Sequence, residues 1–133
     1  VARLTIRIDL SDQGAIGPGK IRLLELVGES GSISAAGRAM RMSYRRAWTL
    51  IDGLNRCFRQ PVVETQLGGT RGGGAALTEL GHDLIARYRA IERAATKVAA
   101  PGLAALDGAQ ALRRRSPSRA RPRSASMPRR ARG

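Results

Sequence analysis

Reactive side chains are scarce in these 133 residues: there is one histidine, His82, and one cysteine, Cys57. A single thiol closes no intramolecular disulfide and builds no multi-cysteine metal site. Neither residue has beside it the partners that nucleophilic or metal chemistry requires. The expectation is therefore no enzyme, no metal and no cofactor. Long apolar runs are missing too. None approaches the roughly 18 residues of a membrane span, and the N-terminus, which starts at Val1, lacks the charged-then-apolar pattern of a secretory signal. This predicts a soluble, cytoplasmic chain with no membrane partner.

Acidic residues are few, 10 against 24 Lys and Arg, for a formal net charge of +14. Such an excess favours polyanions, nucleic acid above all. It is unevenly spread. From Arg113 onward there are nine Arg and no acid, so residues 1 to 112 carry 15 bases against the 10 acids. The tail mixes Arg, Ser, Pro and Ala with almost nothing to bury, which cannot offset its ordering entropy and predicts disorder. The length suits one domain and a tail. The boundaries expected are 1–102 for the domain and 103–133 for the low-complexity basic segment.

Leu4, Ile6, Ile8 and Leu10 alternate with polar residues, as a half-buried strand does. Asp12, Gly14, Gly17 and Pro18 read as a turn leading into a helix with Pro18 in its first turn. That helix carries Ile21, Leu23, Leu24, Leu26 and Val27, and stops between Gly28 and Gly31. The run from Gly31 to Trp48, GSISAAGRAMRMSYRRAW, then reads as two short helices joined by a tight turn. Ser32 caps the first, whose Ala35, Ala36 and Gly37 permit close helix approach. Ser43 caps the second, where Ala47, Leu50, Ile51, Leu54 and Phe58 form an apolar stripe up to Pro61. Arg45, Arg46, Thr49, Asp52 and Arg56 take its other face. Val62 to Leu67 and Ala75 to Leu77 read as hairpin strands around a tip, Gly68 to Gly74, that has five glycines in seven positions and holds Thr70 and Arg71. Thr78 caps a last helix striped by Leu80, Leu84, Ile85, Tyr88, Ile91, Ala95 and Val98, with Pro101 and Gly102 interrupting it. Residues 103–112 add a weak turn or two. The fold class is mainly α with a small β-sheet: strand, three helices, β-hairpin wing and long C-terminal helix, a winged helix-turn-helix.

Three segments in this order, IGPGKIRLLE at Ile16 to Glu25, GSISAAGRAMRMSYRRAW, and GGTRGGGAALTELG at Gly68 to Gly81 with Tyr88 and Ile91 beyond, resemble the N-terminal DNA-binding domain of ModE-type molybdate-responsive regulators, a relative of the LysR-type winged helix. The resemblance spans roughly residues 3 to 100. It implies a transcriptional regulator that binds double-stranded DNA as a homodimer on a pseudo-palindromic operator. In the family a molybdate-binding part follows this domain. Here Arg-rich low complexity stands in that place, and no residue supports molybdate sensing.

On this reading the second helix of the pair enters the major groove with Ser43, Tyr44, Arg45, Arg46 and Thr49, where Arg pairs with guanine and the hydroxyls reach bases or phosphates. Ser32 and Ser34 open the preceding helix, whose N-terminus can hold a phosphate. Thr70 and Arg71 reach the minor groove or backbone from the wing tip. Leu84, Ile85, Tyr88, Ile91 and Ala95 are expected at the dimer contact, because the last apolar stripe exceeds what so small a domain needs. Trp48 is expected to lock its helix structurally. The bland alternatives are caps for the serines, a solvated face for the arginines, and a mobile hairpin for the wing. A nucleotide-binding reading of the glycines fails, since no Lys-Ser/Thr follows them. Two rivals remain: an architectural, nucleoid-type DNA coater dominated by tail and wing, and a winged helix used to bind protein.

Overall fold

The computed structural model describes residues 1–11, 14–67 and 73–111. Thr70, Arg71 and the tail from residue 112 lie outside the described residues. Strand β1 (Ile8–Ser11) pairs antiparallel with β2 (Gly14–Ile16), placing Ile8 opposite Ile16 with an irregularity between Asp9 and Ser11. The sequence pattern starts the first strand at Leu4 and treats the residues around Gly14 as turn. The ladder instead starts at Ile8, and Gly14 to Ile16 form its second strand because Ile16, only 2% exposed, anchors them in the core.

Helix α1 (Pro18–Ser30) begins with its proline in the first turn and ends at Gly31, whose φ of 72° lets its N–H turn back to the Val27 carbonyl at 2.8 Å. Ile21, Leu23, Leu24 and Val27 are fully buried along it. Helices α2 (Ile33–Ala39) and α3 (Tyr44–Arg56) follow. Both are capped as their sequences predict: Ser32 Oγ accepts from the Ala35 N–H at 3.0 Å, and Ser43 Oγ from the Arg46 N–H at 3.1 Å. α3 stops at Arg56, ahead of Pro61, where the Cys57 N–H turns back to the Leu54 carbonyl.

The wing is strands β3 (Val63–Leu67) and β4 (Gly73–Leu77), antiparallel with Val63 opposite Leu77 and Thr65 opposite Ala75. The return strand starts two residues earlier than read from sequence, because Gly73 and Gly74 pair with Leu67 and Gln66. Thr78 ties the wing to the last helix: its N–H donates to the Val62 carbonyl at 3.0 Å, its hydroxyl to Pro61 O at 2.7 Å, and the same oxygen accepts from the Gly81 N–H.

Helix α4 (Glu79–Ala109) runs through Pro101, which corrects the expected interruption at Pro101 and Gly102. An interior proline removes one backbone bond, but Ala94, Ala95, Ala99, Ala100, Ala104 and Ala105 around it have the highest helix propensity of any residue. Contacts divide the chain into a unit of Leu4–Ala99 and a second one comprising Val1–Arg3 and the residues from Ala100 on. In the second, the Asp107 carboxylate accepts from the Ala2 N–H at 2.6 Å and from the Gln110 amide at 2.9 Å. Among the described residues, no helix is long and apolar enough to cross a membrane.

The core of the larger unit gathers Ile16, the α1 face, Ile33, Ala47, Ile51, Leu54, Val62, Val63, Leu84 and Tyr88. Its margin is pinned by charge: Arg89 donates from Nε and Nη2 to the two Glu25 oxygens at 3.0 Å each, and from Nη1 to Glu92 at 2.7 Å. The Arg89 hydrogen bonds hold the Glu25 carboxyl below the usual carboxylate range, with Arg22 adding to the effect and burial opposing it.

A Cβ at Gly81 would overlap the Val62 carbonyl oxygen, whereas one at Gly53 would meet nothing within 4 Å. In urea unfolding, Gly81→Ala should cost about 1–3 kcal/mol, and Gly53→Ala should stabilise α3 by about 0.5–1 kcal/mol. Because the folded-state pKa of Glu25 is depressed, its stabilisation is complete above the unfolded value near 4.3 and disappears as pH falls through the lower folded value. Glu25→Gln should therefore unfold more easily than wild type at neutral pH, by about 1–2 kcal/mol, with the two urea curves converging in acid.

Candidate nucleic-acid interface

The apolar stripe of α3 decides where its polar groups go. Ala47, Ile51 and Leu54 are buried against the core, and at 3.6 residues per turn this turns Tyr44, Arg45, Trp48 and Thr49 outward. All four are exposed, as are Ser43 and Arg46. Among the described residues, neither the Arg45 nor the Arg46 guanidinium has a hydrogen-bond or ion-pair partner. Further along, Arg56 is held by Asp52 at 2.9 Å, so unpaired positive charge is confined to the first turn of the helix.

Tyr44, Arg45, Trp48 and Thr49 together line a groove of about 510 Å³. Its walls offer a phenol, a guanidinium, an indole and a hydroxyl, which suits an edge-on aromatic or polar ligand better than a buried apolar one. Trp48, expected to lock its helix structurally, is 45% exposed. It also borders a recess of about 180 Å³ with Ile33, Ile51, Asp52, Asn55, Val63 and Thr65, so the indole spans the crease between α2, α3 and the first wing strand while keeping half its surface free.

The two serines of α2 differ. Ser32 is committed to its cap, while Ser34 is half-buried and accepts from the Arg38 guanidinium at 2.9 Å. The wing base is fixed by the Ala75 N–H bonding to Gly31 O at 2.9 Å. Thr70 and Arg71, at its tip, lie outside the described residues.

The expected dimer face needs correction. Tyr88 is 1% exposed with its hydroxyl donating to the Ile6 carbonyl at 2.7 Å, and Leu84 is buried in the same core. Ile85 packs against that core as well. Leu84 and Tyr88 belong to the chain's own interior, with Ile85 half-buried at its edge, because the helical stripe that looked surplus in sequence also covers the lead-in to β1 at Ile6. Ile91, 47% exposed, and Val98 remain outward on α4, and Ala95 is half-buried.

One structural residue went unread in the sequence. The Asn55 side chain accepts from the N–H groups of Val62 and Val63 at 2.7 and 3.2 Å and donates to the Val63 carbonyl at 3.1 Å. It clamps the start of the wing onto α3. The available signal was its place four residues after Ile51, a polar side chain at the edge of an apolar stripe. His82 is exposed on the first turn of α4, and the Cys57 thiol donates to the Gly53 carbonyl.

No family model matches the chain. Individual relatives do. It is 42% identical over 96 residues to the molybdenum-pterin-binding protein MopA of Rhodobacter capsulatus, covering 71% of this chain and 36% of that one. It is 38% identical over 92 residues to the molybdenum transport protein ModE of Azotobacter vinelandii, covering 69% and 33%. With the DNA-binding transcriptional dual regulator ModE of Escherichia coli K12 it shares 36% over 87 residues, or 65% and 33%. The chain is a homologue of the ModE and Mop proteins. It spans about a third of the length of the curated relatives it matches. Among solved structures, the DNA-binding domain of CbnR in complex with DNA superposes with a TM-score of 0.52 at 22% identity, over 66% of this chain and 95% of that one. That likeness establishes the fold, a winged helix.

The clamp makes a specific prediction. Removing its side chain in Asn55→Ala leaves two backbone donors without an acceptor, so the variant should lose about 1–3 kcal/mol of stability. Hydrogen exchange should accelerate more at the Val62 and Val63 amides than at Val27 in α1.

Proposed function

We propose that this chain is a DNA-binding transcriptional regulator of bacterial type, whose α3 lies in the major groove and reads base edges from its first two turns. The observation that carries the reading is the exposed, unpaired pair Arg45 and Arg46 at the opening of α3, beside the groove shared by Tyr44, Trp48 and Thr49. Arg is the side chain best matched to the paired acceptors of guanine, and Tyr44, Ser43 and Thr49 suit neighbouring bases or phosphates. Ser32 and Ser34 are assigned to a phosphate at the start of α2. Thr70 and Arg71 are assigned to the minor groove or the adjacent backbone. The name of the Escherichia coli relative, a DNA-binding regulator, supports the same reading.

The domain proposed for this work is residues 1–102, with 103–133 as a basic tail. A homodimer on a pseudo-palindromic operator would set two α3 helices about 34 Å apart, one turn of DNA, with Ile91 and Ala95 of α4 in the subunit contact. The proposal assigns no residue to molybdate. Nine Arg beyond residue 112 favour a second reading, a nucleoid-type coater without an operator, because each neutralised phosphate adds sequence-independent affinity.

Nuclease footprinting on the DNA upstream of the chain's own coding region, with and without molybdate, tests the choice. A discrete protected site is expected, unchanged by molybdate. Arg45→Ala and Arg46→Ala should each weaken binding to that site by about 1–3 kcal/mol while leaving affinity for random duplex nearly intact. Deleting residues 113–133 should weaken both alike. Uniform protection along the DNA, or equal losses on site and random duplex for the α3 variants, would favour the coater.

A further inference from the structure

We propose that Arg41, in the turn between α2 and α3, is a phosphate-contacting residue of the DNA face, and that a guanidinium is kept there at the expense of fold stability. The proposal rests on the DNA-binding reading above. The turn is a doubly hydrogen-bonded helix stop: the Arg41 N–H donates to Arg38 O at 3.0 Å and the Met42 N–H to Gly37 O at 2.9 Å. This closure places the residue that follows the cap, here Arg41 after Met40, in the left-handed region, which glycine occupies without steric penalty. The chain obeys that preference at the end of α1, where Gly31 has a φ of 72°. At the end of α2 it does not. Arg41 sits there with a φ of 61°, the one non-glycine residue among those described with a positive φ.

Nothing among the described residues compensates for the choice. Arg41 is exposed, and among the described residues its guanidinium has no hydrogen bond or ion pair, whereas Arg22, Arg38, Arg56, Arg87 and Arg89 all do. A residue held in an unfavourable backbone region without local reward points to a role outside the fold. Its location says which. Arg41 stands two residues before the Ser43 cap, at the end of α3 that carries Arg45 and Arg46. A helix entering the major groove by that end has phosphate strands on either side of it, so a cation in the preceding turn meets backbone and not base edges. Its contribution is to affinity and register, without sequence preference.

Two full-length variants separate the charge from the backbone: Arg41→Gly removes both the guanidinium and the steric penalty, and Arg41→Gln removes only the guanidinium. Binding to a short mixed-sequence duplex is followed by fluorescence anisotropy across a salt series, and Tm by circular dichroism. Arg41→Gly should melt about 2–5 °C higher than wild type, yet bind more weakly, with the slope of log K against log salt shallower by about 0.9. Arg41→Gln should show the same loss of slope with no rise in Tm. A wild-type slope in both variants would overturn the phosphate contact and leave the α3 reading standing. An unchanged Tm in Arg41→Gly would overturn the stability cost. Failure of the wild type to bind duplex at all would remove both proposals.

Discussion

Two backbones meet where α2 crosses α3, and the rest of the interface hangs on how close they come. A Cβ on Gly37 would stand 3.0 Å from the Ala47 Cβ and 3.5 Å from the Met42 and Ser43 carbonyl oxygens. The missing side chain at 37 and the minimal one at 47 let α3 lie directly on α2, and the Gly37 carbonyl then receives the Met42 N–H that closes the turn. With Ala47 turned inward, the helical period sends Ile51 and Leu54 the same way. Exposure of Arg45 and Thr49 is thus a consequence of burial at Ala47, one helical face being the complement of the other.

The wing is held from three sides by groups that are not contiguous in sequence. Asn55 of α3 binds the backbone at Val62 and Val63, Thr78 at the head of α4 takes the Val62 and Pro61 carbonyls, and Gly31 at the end of α1 receives the Ala75 N–H. Each bond satisfies a main-chain group that would otherwise be lost to water. Together they fix the base of the hairpin to the same helices that orient α3. The described strands of the wing therefore share one frame with α3.

How legible these features are depends on how far apart their partners lie in the chain. Ser32, Ser43, Thr78, Pro18 and Gly31 are readable because a cap or a stop is decided within four residues, and the apolar stripe of α3 because its period is local. Asn55, by contrast, bonds to residues seven and eight positions on, and Arg89 reaches Glu25 across 64. Neither pairing follows from a local cap or period, and no short window contains both Glu25 and Arg89. The same limit explains the dimer face: Tyr88 lies on an apolar stripe whether its cover is another subunit or, as here, the backbone at Ile6, 82 residues away. Pro101 misleads for a different reason: it is a local breaker, but the alanines on both sides of it carry the helix through.

Charge along α3 is graded as well as positive. The helix dipole already makes its first turn electropositive, and Ser43 satisfies only the Arg46 N–H there, leaving earlier amides without intrahelical acceptors by the geometry of any helix start. Arg45 and Arg46 add to that field, while Asp52 cancels Arg56 at the far end. An approaching polyanion therefore gains most by meeting α3 tip first. A uniformly basic helix would attract DNA as strongly but would let it slide along the whole face, adding affinity without fixing depth or angle. The pairing of Asp52 with Arg56 converts a basic helix into a directional one, and direction is what the proposed base readout requires of a charge that by itself carries no sequence information.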